Sequence, residues 1–512
     1  MSETRTAGIA QRRRLFIADQ NLRDFRGHYY EYDLAVAEAA CHAGLAPTIL
    51  ANRNLTPLPF PEYITVVPAF SEVTYADLSL ERWKVLGGKL ERMALTFWRR
   101  TERIPVSHRR SSDDLVSDRP AGQEPARFNI PVRGLGRVVA VARMASALLR
   151  RWFASATGTG LNDGFGAISS TGGPSFTTDL LEALDRQAVS PDDLVLVPSI
   201  GLRELAQLTA FTVDADVSSL PALHVILRRD YREERWAFAH GLTIRSSLRV
   251  FKEYEEAGGH VFFYTDTDRL TDQYNDLELV SFTTLPIPFR HALIADPSMD
   301  QPLSRRPVAL YLGEGRLEKG FQHLPDIIAS FAVNDPTAPQ FVIQISGDSG
   351  SQSKGISEAL KRLESMPEDQ VSLVQGEVSA DDYYRLLAAA DIVLIPYDGD
   401  TYRYRSSGIF TEAKAAGKVV IVPSGTWMAE HMSADQGTVF ETPDEIGQAL
   451  RLAVDRLEHL TREAMKARTA WRERHNPKAL IKCLLERNSA SGTPPSQCPS
   501  AKQTSGRSTP GL

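Results

Sequence analysis

The sequence predicts an α/β protein made of two doubly wound, Rossmann-like domains. Three observations carry this. Short apolar runs alternate with amphipathic helical stretches at the start of the chain, and the same alternation returns with cleaner spacing from Val308 onward. A polar stretch at 295–306, with Pro297 and Pro302, separates the two. Strands that alternate with helices, rather than with tight turns, imply parallel sheets covered by helices. At about 150 residues per domain, 512 residues leave room for two or three such units. The expected order is a disordered basic start over 1–13 and a first domain over 14–295 with a basic insertion near 81–173. A second domain over 305–460, helices over 461–487 that return to the first domain, and a disordered tail over 488–512 follow.

The first unit reads strand at 15–18, polar loop at 19–27, helix at 30–43 and strand at 47–51. The helix places Leu34, Ala37 and Cys41 on one face, and Gly44 follows it as glycines commonly do past a helix end. The pattern loosens over 81–173. Pro, Asp and Ser crowd 111–128, and Gly, Ser and Thr crowd 157–174. Between them an apolar stretch is interleaved with Arg133, Arg137, Arg143, Arg150 and Arg151. The βα grammar resumes with strands at 194–197, 224–227 and 261–264 and helices at 202–211 and 249–258, and 285–288 runs into the linker. In the second domain strands are expected at 308–312, 340–345, 371–374, 392–395 and 419–422. Helices are expected at 321–331, 354–365, 380–389 and 408–416, then at 444–457 and 461–474. Open sheets of this kind bind ligands at the carboxyl ends of their strands.

Composition narrows the function classes. Apolar residues make up 42% and charged residues 24% of the chain, ordinary values for a globular protein. A formal net charge of −6 argues against a general nucleic-acid binder. Cys41, Cys483 and Cys498 are scattered, with no metal-ligand spacing, which fits a reducing compartment. No apolar run reaches the ~18 residues of a membrane span. The run 15–18 after Arg12, Arg13 and Arg14 is too short for a signal-peptide core.

Two motifs carry chemistry. The first is 313–320, Gly-Glu-Gly-Arg-Leu-Glu-Lys-Gly, at the end of an apolar run. A strand that turns through Gly313 and Gly315 into a helix gathers backbone N–H groups with Arg316 and Lys319. Such a combination holds a phosphate or diphosphate. The second is 405–425, in which Ser407 and Gly408 open a helix that carries Glu412 and ends in Ala415-Ala416-Gly417 before a buried strand.

Together these motifs resemble those of retaining glycosyltransferases with the GT-B architecture, family 4 in particular: two Rossmann-like domains facing across a cleft. The resemblance implies that Arg316 and Lys319 bind the diphosphate of a nucleotide-sugar donor. It implies that Glu412 accepts hydrogen bonds from the donor ribose, with Ser407 and Gly408 at the helix start near the diphosphate. The spacing differs: two residues separate Arg316 from Lys319, where the family more often has about four. Tyr404 stands where the family carries the first Glu of an E-x7-E pair, near the sugar, of which Glu412 matches the second. Gly27, in the loop after the first strand, resembles a glycine that approaches the donor phosphates from the other domain, and His28 beside it reads either as assisting at the sugar or acceptor or as a surface or packing histidine. Topology adds Gly347 after the second strand of the C-terminal domain, and Glu377 and Val378 after the third, where the family's backbone holds the base.

The expected activity is transfer of a sugar from a nucleotide-diphosphate sugar to a glycan, lipid-linked intermediate or polysaccharide, with retention and without a metal or other cofactor. A sugar-nucleotide epimerase and a non-catalytic nucleotide-sugar-binding or assembly protein are the alternatives. Asp266 and Asp268 have the gap of a metal-binding Asp-x-Asp, but the two-domain layout and the place of Asp268 before a helix favour a cap. Residues 81–153 hold 16 Lys/Arg against 7 Asp/Glu, a net +9, so the rest of the chain carries −15. With Trp98, Trp152 and Phe153, this basic stretch reads either as a contact with an anionic membrane surface from the cytoplasmic side or as a helical hairpin packed on the N-terminal domain with its arginines in water.

Overall fold

The computed structural model describes residues 12–25, 29–72, 176–212, 219–233, 244–290, 293–294, 305–331, 335, 337–346 and 353–489. All of them fall in one compact unit. The basic stretch 81–153, the Gly/Ser/Thr-rich stretch 157–174 and the two chain ends lie outside the described residues.

Two parallel sheets organise the chain. The N-terminal sheet has seven strands in the order β3-β2-β1-β4-β5-β6-β7. These are β1 (Arg14–Ala18), β2 (Ala46–Asn52), β3 (Thr65–Phe70), β4 (Leu194–Ile200), β5 (Ala222–Leu227), β6 (Val261–Thr265) and β7 (Phe282–Thr284). The C-terminal sheet has six strands in the order β10-β9-β8-β11-β12-β13. They are β8 (Val308–Glu314), β9 (Gln340–Ser346), β10 (Val371–Gln375), β11 (Ile392–Leu394), β12 (Val419–Pro423) and β13 (Gly437–Phe440). Every strand pair is parallel, for example Leu15 beside Pro47 and Val393 beside Leu310.

Continuous apolar strands such as Leu-Phe-Ile-Ala in β1 suit a sheet buried on both faces. Alternate residues sort accordingly. Phe16, Val195, Val197, Leu223, Val225 and Phe263 enter one core of the N-terminal lobe. Leu15, Ile17, Leu194, Leu196, Ile226 and Tyr264 enter the other. The C-terminal sheet does the same, with Tyr311, Phe341, Ile343 and Ile421 on one face and Leu310, Leu312, Val393 and Val420 on the other.

The chain crosses between lobes twice. The long helix Leu457–Arg474 packs on the C-terminal lobe through Leu457, Leu460 and Trp471. The helix Pro477–Ser489 then places Leu480, Ile481, Cys483 and Leu484 in a core of the N-terminal lobe. The crossings meet where the Ile287 N–H donates to His475 Nδ1 at 3.2 Å. Burial, first, and the charge of Arg474 hold His475 well below its usual range, so its ring is neutral and its Nδ1 accepts there. Among the described residues no helix is long and apolar enough to cross a membrane.

The sheet orders set where a ligand can go. In each sheet the strand order reverses once, between β1 and β4 and between β8 and β11. Loops leaving the carboxyl ends of such strands part in opposite directions and open a crevice.

Candidate active site

The loop after β8 differs from the expected strand-to-helix turn. β8 runs on through Glu314, and two short 3₁₀ turns, Leu317–Lys319 and Phe321–His323, precede the α-helix Leu324–Ala329. Two residues explain why no helix spans 321–331. Gly320 has φ +71°, a left-handed conformation that ends the first turn. Pro325 in the first helical turn has no N–H to continue an upstream ladder. Gly320 is also sterically required, because a Cβ there would sit 1.7 Å from the Pro396 carbonyl oxygen. Gly313 has φ +130°, and a Cβ on it would face Lys319 Nζ at 3.6 Å.

Arg316 and Lys319 are thereby gathered around Glu314. Arg316 pairs with Glu314 and lies 3.4 Å from Glu318, and Lys319 Nζ is 3.6 Å from Glu314. Arg316 is half exposed, whereas the Lys319 side chain is 12% exposed. Burial, and then the charge of Arg316, bring the Lys319 ammonium down to about 7. An anion at this place would restore its full charge. Glu314 was not singled out from the sequence; an acid between two glycines and next to two cations was the available signal.

The loop after β11 closes against this one. The Asp398 N–H donates to the Glu318 carbonyl at 3.0 Å. Burial and the neighbouring Tyr402 push the Tyr397 hydroxyl up, against a hydrogen bond to Ser407 and the charge of Arg316. Ser407 caps the helix Gly408–Ala415, its hydroxyl accepting from the Phe410 N–H at 3.3 Å. The motif at 313–320 and the helix start at Ser407 and Gly408 therefore share the crevice between β8 and β11.

Glu412 sits one turn into that helix and is buried. Tyr383 donates to its Oε2 at 2.5 Å and Tyr384 to its Oε1 at 3.0 Å. Burial pushes Glu412 up to about 7 against the opposing pull of the two tyrosine hydroxyls. A carboxylate has about four lone-pair positions, so two remain for further donors. The tyrosines lie on the helix Ala380–Ala389. Nothing in the sequence marked them, since paired aromatics on a helix read as core.

Gln344 is a second residue the sequence reading missed. It is buried within β9, where its Oε1 accepts from the Gly313 N–H at 3.2 Å and its Nε2 donates to the Gly376 carbonyl at 3.0 Å. One side chain thus ties the loop after β8 to the loop after β10. The signal was a polar residue inside the apolar run Phe-Val-Ile-Gln-Ile. Glu377 is exposed and Val378 half-buried in the loop after β10, two strands from β8. Gly27, His28 and Gly347 lie outside the described residues.

The N-terminal lobe meets the C-terminal lobe beside this crevice. Thr267 donates to the Tyr404 carbonyl at 2.7 Å. Arg269 bonds both oxygens of Glu430 and donates to the carbonyls of Arg403 (2.8 Å) and Gly425 (2.6 Å). The Tyr404 side chain packs against the core of the N-terminal lobe. Asp268 lies 3.4 Å from His431. Burial would raise its carboxyl, but the hydrogen bond and charge of His431 outweigh this and hold it at about 2. The cap of the helix Asp268–Asn275 is Thr267, whose hydroxyl accepts from the Leu270 N–H, and not Asp268.

Known structures share this architecture. Sucrose-phosphate synthase from Thermosynechococcus elongatus aligns with a TM-score of 0.55 at 12% identity, over 94% of this chain and 100% of that one. HepE from Anabaena, solved in complex with UDP-glucose, aligns with a TM-score of 0.50 at 11% identity, over 93% of this chain and 99% of that one. The fold is GT-B. No family model and no curated protein sequence matches the chain. At these identities the GT-B likeness concerns the architecture, and the chemistry rests on the residues in the crevice.

Proposed function

We propose that this protein is a glycosyltransferase that moves a sugar from a nucleotide-diphosphate sugar to a hydroxyl of a glycan, lipid-linked intermediate or polysaccharide. The observation that carries it is the meeting, in the β8/β11 crevice, of Arg316 and Lys319 with the helix start at Ser407 and Gly408 and the buried Glu412. A diphosphate fits the two cations: Arg offers a planar fork and Lys a point charge. The start of the helix Gly408–Ala415 adds unpaired N–H groups. Glu412 fits a vicinal diol such as a ribose, accepting from its hydroxyls.

In the reaction, the bond between the anomeric carbon and the diphosphate oxygen breaks and its electron pair leaves with the diphosphate. The acceptor oxygen bonds to the anomeric carbon, and the proton it releases balances the charge on the leaving group. Arg316 and Lys319 stabilise that charge as it develops, an electrostatic effect that is often the largest single contribution to catalysis. Retention of configuration and metal independence come with the family resemblance and belong to the proposal. So does contact of the basic stretch 81–153 with an anionic membrane surface.

A thermal-shift panel of UDP, GDP, ADP and dTDP with their hexose esters tests the reading. One nucleotide and its sugar should stabilise the protein selectively. Arg316→Ala should weaken that binding roughly 10- to 100-fold. If no panel member shifts the wild-type protein, the proposal fails.

A further inference from the structure

The N-terminal sheet presents its own group of charges at its carboxyl edge. Asp19 follows β1, Arg228 follows β5 and Asp266 follows β6, while Asp33 rises from the helix Tyr29–His42. Arg228 lies 3.6 Å from Asp266 Oδ2, donates from Nε to the Pro198 carbonyl at 2.8 Å, and covers the Tyr32 ring at 4.5 Å. Ser406, from the other lobe, donates to the same Asp266 Oδ2 at 2.6 Å. Asp266 is 5% exposed and Asp33 0%. Three buried carboxylate oxygens here have no hydrogen-bond partner: Asp266 Oδ1 and both oxygens of Asp33.

Buried acceptors without donors are costly. One guanidinium, already committed to Asp266, cannot serve every acid at this edge. Burial raises both Asp33 and Asp266 above the usual carboxylate range, which lowers the charge but leaves acceptor positions unfilled. An anionic ligand is disfavoured by the three acids beside Arg228. Among the described residues no three His, Cys, Asp or Glu side chains converge closely enough to hold a metal ion. The missing partners are therefore neutral donors, and a polyol supplies several O–H groups in a fixed pattern. Position says where such a ligand lies: Ser406 immediately precedes Ser407, the cap of the helix that opens the donor crevice.

We propose that Asp266, oriented by Arg228, is a hydroxyl-binding residue of the transfer reaction, its Oδ1 accepting from a sugar hydroxyl at the junction of the lobes. This rests on the glycosyl-transfer reading. The sugar is either the one being moved or the acceptor, and the chemistry is the same for both.

The test is Asp266→Asn, which keeps the shape and an acceptor for Ser406. It is measured with the panel member that stabilises wild type and with its free nucleoside diphosphate. The free diphosphate should stabilise the variant as it does wild type, which shows that the variant is folded. If the hydroxyl belongs to the donor sugar, affinity for the nucleotide sugar alone falls roughly 10- to 100-fold. If it belongs to the acceptor, nucleotide-sugar binding and its slow hydrolysis are unchanged while KM for a saccharide acceptor rises by a similar factor. Ser406→Ala, which removes only the lobe contact, should affect diphosphate and nucleotide sugar alike. An Asp266→Asn variant that matches wild type in every assay, or that merely reproduces Ser406→Ala, overturns the inference. If no panel member binds wild type, the glycosyl-transfer reading itself has failed and this one with it.

Discussion

The two lobes carry the same architecture and opposite chemistry at their carboxyl edges. At the C-terminal edge Arg316 and Lys319 gather around Glu314, with Glu318 also beside Arg316, next to a helix start. At the N-terminal edge Asp19, Asp33 and Asp266 gather around Arg228. One edge brings two cations to a helix start, and the other leaves buried carboxylate oxygens without donors. A parallel sheet fixes where a ligand binds; the residues that follow the strands decide which ligand it is.

The lobes also use left-handed glycines differently, and the largest expected effect comes from that difference. Gly320 in the donor loop has φ +71° and lies under the Pro396 carbonyl, whereas Gly44 in the N-terminal lobe has φ +84° and open space around it. Gly44→Ala should cost only the left-handed strain, about 1 kcal/mol. Gly320→Ala adds a collision with backbone that joins the loops after β8 and β11, for about 2–4 kcal/mol in all. Chemical denaturation of both variants, with donor binding measured alongside, checks this. Equal destabilisation would mean that the contact between the two loops is looser than Gly320 indicates.

Why some of this was legible and some not follows from where the signals sit. The strands of both sheet centres were readable because burial on both faces makes them continuous apolar runs, as in β1 and β8. β3 was missed because Pro68 interrupts its run. It is tolerated there because β3 is an edge strand, where one side of the strand needs no ladder partner. β13, Gly437–Phe440, is too short to show a period. In the site, the cations, Ser407 and Glu412 stood out because their neighbours in sequence are also their neighbours in space. Tyr383 and Tyr384 did not, since their partner Glu412 lies on the helix two elements later. Asp266 stood out only as half of an Asp-x-Asp pair, since the partner that reveals its place, Ser406, comes from the opposite lobe.

A pH series separates the two charges of the donor edge. Glu412 is raised to about 7, so its carboxylate, the form that accepts best from a diol, fades as pH falls below that value. Lys319 is lowered to about 7, so its ammonium, the form that binds a diphosphate, fades as pH rises above it. Donor affinity should therefore peak near neutrality and fall on each side by at most about tenfold per pH unit. Glu412→Gln should flatten the acid limb and Lys319→Arg the alkaline limb. The sign for stability is the reverse at Glu412: because its folded value is raised, the stabilisation it contributes is present below about 4.5 and is lost as pH rises through about 7. Binding isotherms across pH 5–9 read both limbs, and a pH-independent affinity would remove Glu412 and Lys319 from the site.

A modest effect is expected at Thr267, where the two lobes touch through one hydroxyl. That hydroxyl accepts from the Leu270 N–H at 3.2 Å and donates to the Tyr404 carbonyl at 2.7 Å. The first bond serves a helix of the N-terminal lobe alone; the second holds the segment leading to Ser407. Thr267→Ala should lower stability by about 1–2 kcal/mol, the sum of a lost cap and a lost hydrogen bond. Thr267→Ser keeps the hydroxyl and should stay near wild type. If the second bond fixes the donor helix relative to the N-terminal lobe, the alanine variant also binds the donor more weakly while the serine variant does not. A loss of stability with unchanged donor binding would assign Thr267 to its own helix and leave Arg269, through Glu430, Arg403 and Gly425, as the residue that joins the acidic edge to the basic one.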